Sequence, residues 1–214
     1  MTMAISEMLI EQNNATVAFL QAKDASSALE SSILALTNSS RIYDEQQIST
    51  YQTRGGILDE FMLFSATDNE SVNAASGTFI YEHAVIIPTT IEIDSTMLIT
   101  ILIFNAALAH HEMAERSFCH PDTRMRLLRR AKNLYEIAYE SCDLEQNLLF
   151  QFALINNIAV IEQDIGNVST ANQCFEYLMS LLIVFVDQGY EIQLQHVKGF
   201  VANVPLAIKN APAA

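Results

Sequence analysis

The sequence predicts an all-α fold made of stacked antiparallel helical hairpins. One residue pattern occurs twice: Asn105-Ala106-Ala107 followed by Ala131, Tyr135 and Ala138, and Asn157-Ile158-Ala159 followed by Gly166, Ala171 and Phe175. In each copy small residues stand where two helices would cross closely, and an aromatic fills the space beside them. Composition agrees, since half of the 214 residues are hydrophobic and only 6 Gly and 4 Pro interrupt them. A chain of this length can bury one sizeable core, so a single domain over 1–214 is expected.

A first hairpin is expected over 4–37, where Ala15, Phe19 and Leu20 precede a break at Asp24 and Ala28, Leu29, Ile33 and Leu36 repeat at helical spacing. Residues 38–94 read as an irregular segment that wraps along the helices. Polar 38–56 and 65–77 flank apolar Ile57 to Phe64, and 39–56 and 65–76 are expected to be mobile. Thr78 to Tyr81 and His83 to Ile87 are β-like runs stopped by Pro88, so the alternative for 78–88 is a short β-hairpin.

The second unit, 95–141, carries an insertion, because Asn105 and Asn157 stand farther apart than Ala131 and Ala171. Segment 115–123 supplies the break, with Pro121 lacking a backbone donor and Asp122 serving as N-cap. The third unit is 147–186, with Gly166 in its turn, where glycine readily takes a left-handed backbone. A capping helix follows at 190–210. Asn203 there takes the place of Asn105 and Asn157, and Pro205 bends the helix.

These spacings resemble the tetratricopeptide repeat (TPR) family, well over 95–205 and more weakly over 4–37. The early bulky aromatic of the family is Ile103 or Ile155 here, and the later one is His110 or Glu162. Phe104 to His111, Phe175 to Asp187 and Gly199 to Val204 are also similar to uncharacterised TPR-like proteins of microalgae, which implies no activity. The resemblance implies an α-solenoid whose first helices form a concave groove. Phe104, Leu108, His111 and Glu112 of one unit and Asn156, Val160, Gln163 and Asp164 of the next would line it. Those positions lack the basic set with which some family members clamp chaperone C-termini. The expected ligand is instead an apolar peptide or helix with basic flanks, unless 78–93 or the C-terminal helix fills the groove.

Chemistry-bearing patterns are few. His111 and Glu115 share a helix face able to hold a metal, but a zinc-peptidase helix needs a second histidine where Glu115 stands. His110 is read as packing between helices and His111 as a polar groove residue. Gly55-Gly56 lacks the remaining glycines and the lysine of a phosphate loop. No catalytic residue, metal or cofactor is therefore expected, and a non-enzymatic scaffold leads. The alternative is a small enzyme or metal-binding protein using the His110–Glu115 region.

The formal net charge is −14, yet six of the 11 Lys and Arg lie in 116–132 against the single acid Asp122. Arg126, Arg129 and Arg130 share one helix face, read as a solvated edge pairing with Glu136 and Glu140 or as a contact for an anionic partner. Nucleic acid is not expected, because the acidic remainder would repel phosphate. Glu7 and Glu11 interrupt the apolar N-terminus and no basic region precedes it, so the chain reads as cytoplasmic without a secretory leader. Cys119, Cys142 and Cys174 then stay as thiols. Met97 to Ala109 and Leu178 to Val186 are shorter than the ~20 residues of a membrane span and read as core helices.

Overall fold

The computed structural model describes residues 2–45, 61–62, 79–89, 93–116, 120–142, 147–187 and 197–203. Among them every regular element is an α-helix and none is a strand. Helices α1 (Thr2–Gln21) and α2 (Ala25–Glu45) are joined by a short turn, as are α5 (Leu148–Asp164) and α6 (Val168–Asp187). Between these pairs lie α3 (Ser95–Ala114) and α4 (Pro121–Ser141), and a last helical stretch covers 197–203. Each of the six long helices packs on the next, and α1 also reaches α3.

Two turns share one construction. At the end of α5, Asn167 N–H donates to Glu162 O (2.8 Å) and Gly166 N–H to Gln163 O (3.1 Å), with Gly166 at φ +87°. At the end of α1, Asp24 N–H donates to Phe19 O (2.8 Å) and Lys23 N–H to Leu20 O (2.9 Å), but the left-handed position, φ +56°, is held by Lys23. A lysine there bears a strain on the order of 1 kcal/mol that glycine avoids. Asp24 then caps α2, accepting from Ser27 N–H and from its hydroxyl.

Helix α2 runs to Glu45, so 39–45 is helix and not part of a mobile segment. Its serines and threonine turn inward on their own backbone: Thr37 Oγ1 donates to Ile33 O, Ser39 Oγ to Leu36 O and Ser40 Oγ to Thr37 O. Back-bonding satisfies these hydroxyls without leaving the helix. The N-cap of α4 is His120, with Pro121 in the first turn, and Asp122 stands just inside. The extra residues of this unit lengthen the helix more than the loop, for Ala131 lies midway along α4 whereas Ala171 is in the first turn of α6. The bend expected at Pro205 and most of 46–78 lie outside the described residues.

Helices α3 and α5 are buried almost all round because neighbours cover them on every side. Helices α4 and α6 bury one stripe each: Leu128, Ala131, Tyr135 and Ala138, and Ala171, Phe175, Leu178, Leu182 and Phe185. Phe104 stands between Tyr135 and Phe150, with ring centroids at 5.7 and 5.0 Å. Phe61 and Met62 join this core. Both α3 and α6 are long and apolar enough to cross a membrane by length and composition. Most of α3 lies inside the protein, whereas Leu178 to Val186 is only half core: Ile183 and Val186 on α6 are 62% and 68% exposed.

Ala107, Ala131, Ala159 and Ala171 are all buried. Enlarging a buried alanine overpacks its surroundings, so Ala171→Leu is expected to cost roughly 1–3 kcal/mol. Urea unfolding of the variant beside the parent protein measures this.

Candidate functional site

The run 79–88 is extended, and it forms no β-hairpin among the described residues. Its backbone partners are asparagine side chains on the helices it crosses. Asn203 Oδ1 accepts from Phe79 N–H (2.7 Å) while its Nδ2 donates to Phe79 O (2.6 Å). On α5, Asn157 makes the same two bonds with Tyr81, at 2.9 and 3.0 Å. On α3, Asn105 does so with Val85, at 2.8 and 2.9 Å. On α1, Asn14 does so with Ile87, at 3.1 and 2.9 Å.

A primary amide carries the same donor and acceptor as a peptide group. Each asparagine therefore stands in for the facing residue of a neighbouring strand, in which paired residues exchange two hydrogen bonds. Their second valences close on one another. Asn105 Nδ2 also donates to Asn13 Oδ1, Asn203 Nδ2 to Asn156 Oδ1, and Asn157 Nδ2 to the Tyr135 hydroxyl. Asn13 and Asn156 add a bond each, to Val85 O and Phe79 O.

Part of this segment, the strap, turns its side chains into the core, Ala84 included. Tyr81, Val85 and Ile87 are buried, and the Tyr81 ring stacks on Phe200 at 5.7 Å. Phe79 meets Phe200 edge-on. Gly199 makes this approach possible, since any Cβ there would run into the Phe79 ring.

Residues expected to line an open groove are thus mostly covered. Phe104, Leu108, Asn156 and Val160 are buried, with Leu108 packing in one cluster with Ala84 and Asn156 bonded to the strap. Gln163 Oε1 is buried without a hydrogen-bond partner, and Asp164 accepts from Arg124 at the surface. Sequence reasoning had named 38–94 as a wrapping segment and 78–93 as a possible occupant of the groove, but it singled out neither Asn13 nor Asn14 nor the amide pairing. The signal available was Asn in the same relative place on successive first helices, which the reading of Asn105, Asn157 and Asn203 had found but taken as helix packing.

At one end of the strap a recess of about 220 Å³ remains. The end of α3 supplies Leu108, His111, Glu112, Glu115 and Arg116, the strap supplies Ile80 and Glu82, and Lys23 stands at the rim. Lys23 Nζ lies 2.8 Å from Glu82 Oε2 and 3.9 Å from Glu112 Oε1. Arg116 Nη2 donates to the Lys23 carbonyl at 2.5 Å, and Glu115 pairs with Arg124 at 2.8 Å. His111 is not a surface groove residue: it is 1% exposed, edge-on to Tyr135 at 6.1 Å, and neither ring nitrogen has a hydrogen-bond partner. His110 is buried beside it, its Nδ1 paired with Ala106 O at 2.8 Å.

Burial pushes the Glu112 carboxyl up to about 7, against the pull of the Lys23 ammonium. Burial, helped by the positive field of Arg124, holds His111 down to about 4 and therefore neutral. Among the described residues no three His, Cys, Asp or Glu side chains are placed to hold a metal ion. On α4, Arg126, Arg129 and Arg130 are exposed, Arg126 donates to Thr123 Oγ1, and Glu136 pairs with Lys132. Cys174 is a free thiol, and Asn147 Nδ2 donates to Cys142 Sγ at 4.0 Å. No family model matches this chain, and no curated protein or solved structure matches it either.

Asn157→Ala would strand the Tyr81 N–H and C=O inside the protein, an expected loss of roughly 2–5 kcal/mol. Asn157→Asp, which keeps the acceptor and loses the donor, should also destabilise, and Asn14→Ala at the half-buried end should cost less; urea denaturation ranks the three.

Glu112 holds its proton more tightly folded than unfolded, so its contribution to stability falls as pH rises from 4.5 through about 7. His111 acts oppositely, its contribution being lost as pH falls from 6.5 through about 4. Glu112→Gln isolates the first effect. It should raise the thermal midpoint near pH ~8, removing at most roughly 3 kcal/mol of cost, and change little near pH ~4.5.

Proposed function

We propose that this chain is a TPR-like solenoid acting as a non-enzymatic interaction scaffold in the cytoplasm, whose concave groove takes an extended segment of a partner protein. The observation that supports this is the asparagine series: four helical elements offer amides that pair with the backbone of a chain laid across them. Amide pairing suits an extended segment better than a helix, whose internal N–H and C=O groups are already bonded to each other. The resting occupant is the protein's own 79–87.

A partner segment with the same backbone geometry would replace these contacts one for one. What it must overcome is the tether, equivalent to an effective concentration in the millimolar range. Basic flanks would supply that margin, because the body carries a net charge of −14 and attracts cationic partners over a distance. A second reading, a small enzyme using the His110–Glu115 region, is favoured by one observation: His111, Glu112 and Glu115 line one recess, and the Glu112 carboxyl is pushed into the range useful for proton transfer.

Tyr81→Ala removes the ring stacked on Phe200 and should loosen the strap. A labelled synthetic peptide of residues 78–88 is then expected to bind the variant at least about tenfold more tightly than the parent protein, by fluorescence anisotropy. A folded variant that ignores the peptide would rule out exchange in the groove. Recovery of a bound metabolite from purified protein, with no protein partner in pull-downs, would turn the choice to the enzyme reading.

A further inference from the structure

The recess beside the strap holds polar groups that the fold does not use. Both nitrogens of His111 are unpartnered at 1% exposure, and Glu112 Oε1 is buried without a hydrogen bond. Nearby cations do not hydrogen-bond to it: Lys23 is bound to Glu82 and stays 3.9 Å from Glu112 Oε1, and Arg116 is bound to the Lys23 carbonyl. Unused acceptor capacity therefore remains inside, at one carboxylate oxygen and one imidazole nitrogen.

Ile80 and Leu108 give the recess aliphatic lining as well. A space of about 220 Å³ is many times what one water needs, so it admits a chain of several heavy atoms. Lys23 adds a separate indication. It occupies a left-handed turn position that Gly166 fills in the α5–α6 turn, and this strained placement sets its side chain at the recess rim.

We propose that the recess binds a primary alkylammonium group, its N–H groups donating to Glu112 Oε1 and to the unprotonated nitrogen of His111, with the alkyl stem lying along Ile80 and Leu108. An anion is disfavoured, because it would enter among Glu82, Glu112 and Glu115, whose carboxylates outnumber the nearby Lys23 and Arg116. Neutral His111 is the form with a free acceptor, and burial keeps it neutral. A cation arriving at Glu112 also stabilises the ionised carboxylate that burial disfavours. Because Ile80 and Glu82 belong to the strap, the ligand would pin the strap in place. The inference does not rest on exchange in the groove.

The same ammonium chemistry could come from a lysine side chain of a partner or from a free alkylamine. Calorimetric titration of the full chain near pH ~8 with n-butylammonium, 1,4-diaminobutane and Nα-acetyl-lysine N-methylamide separates the two sources. Saturable binding of at least one is expected, together with a shift of the His111 ring resonances. Tightest binding of the lysine derivative identifies a partner side chain, and tightest binding of the diamine a free amine. Glu112→Gln, which should fold at least as well as the parent, is expected to weaken binding at least about tenfold through loss of a charge-assisted hydrogen bond. Absence of saturable binding by all three, equal affinity in Glu112→Gln, or preferential binding of acetate would overturn the assignment.

Discussion

An extended backbone buried against helices presents an N–H and a C=O at every residue, and the helices offer nothing in return, since their own backbone is bonded internally. Here asparagine amides on the first helix of each hairpin and on the last helical stretch fill that need. An unpaired buried peptide group costs on the order of 1–3 kcal/mol, so without these side chains the strap could not lie where it does. Much of the core depends on it: Tyr81, Val85 and Ile87 complete the apolar interior, and Phe200 finds its stacking partner there.

The same strap makes the recess. Where it crosses α3 it brings Glu82 beside Lys23 and packs Ala84 and Ile86 with Leu108, and Ile80 and Glu82 join His111 and Glu112 in the lining of the recess. Desolvation then shifts both groups toward neutrality: at Glu112 the charges of Lys23 and Arg116 only partly offset it, and at His111 the charge of Arg124 adds to it. A carboxyl and an imidazole that would be ordinary on an open helix face become unusual because of a segment remote in sequence.

Much of the helical framework was readable. Hairpin turns at Asp24 and Gly166, the buried stripe of Ala131, Tyr135 and Ala138, and the burial of Phe175 follow from period and residue size, which are local properties. Helix α2 ran past its expected end because back-bonded hydroxyls let a polar run stay helical. The outward half of α6 was misread for a related reason: composition records how apolar Ile183 and Val186 are, not which side of the helix has a neighbour. The site was less legible. Leu108, His111 and Glu112 were placed on a groove face by register, but register does not say that the groove is already filled.

By itself the sequence determined the all-helical class and which small residues are buried on the helices, because helix period and side-chain size act over a few neighbouring residues. It also contained every asparagine of the series. An asparagine amide, however, serves equally in a cap, a turn or a loop, and nothing local marks it as the partner of a backbone 20 to 124 residues away. Only the stacking of the helices brings Asn14, Asn105, Asn157 and Asn203 into one series, facing a strap whose β-like residues have no strand to pair with.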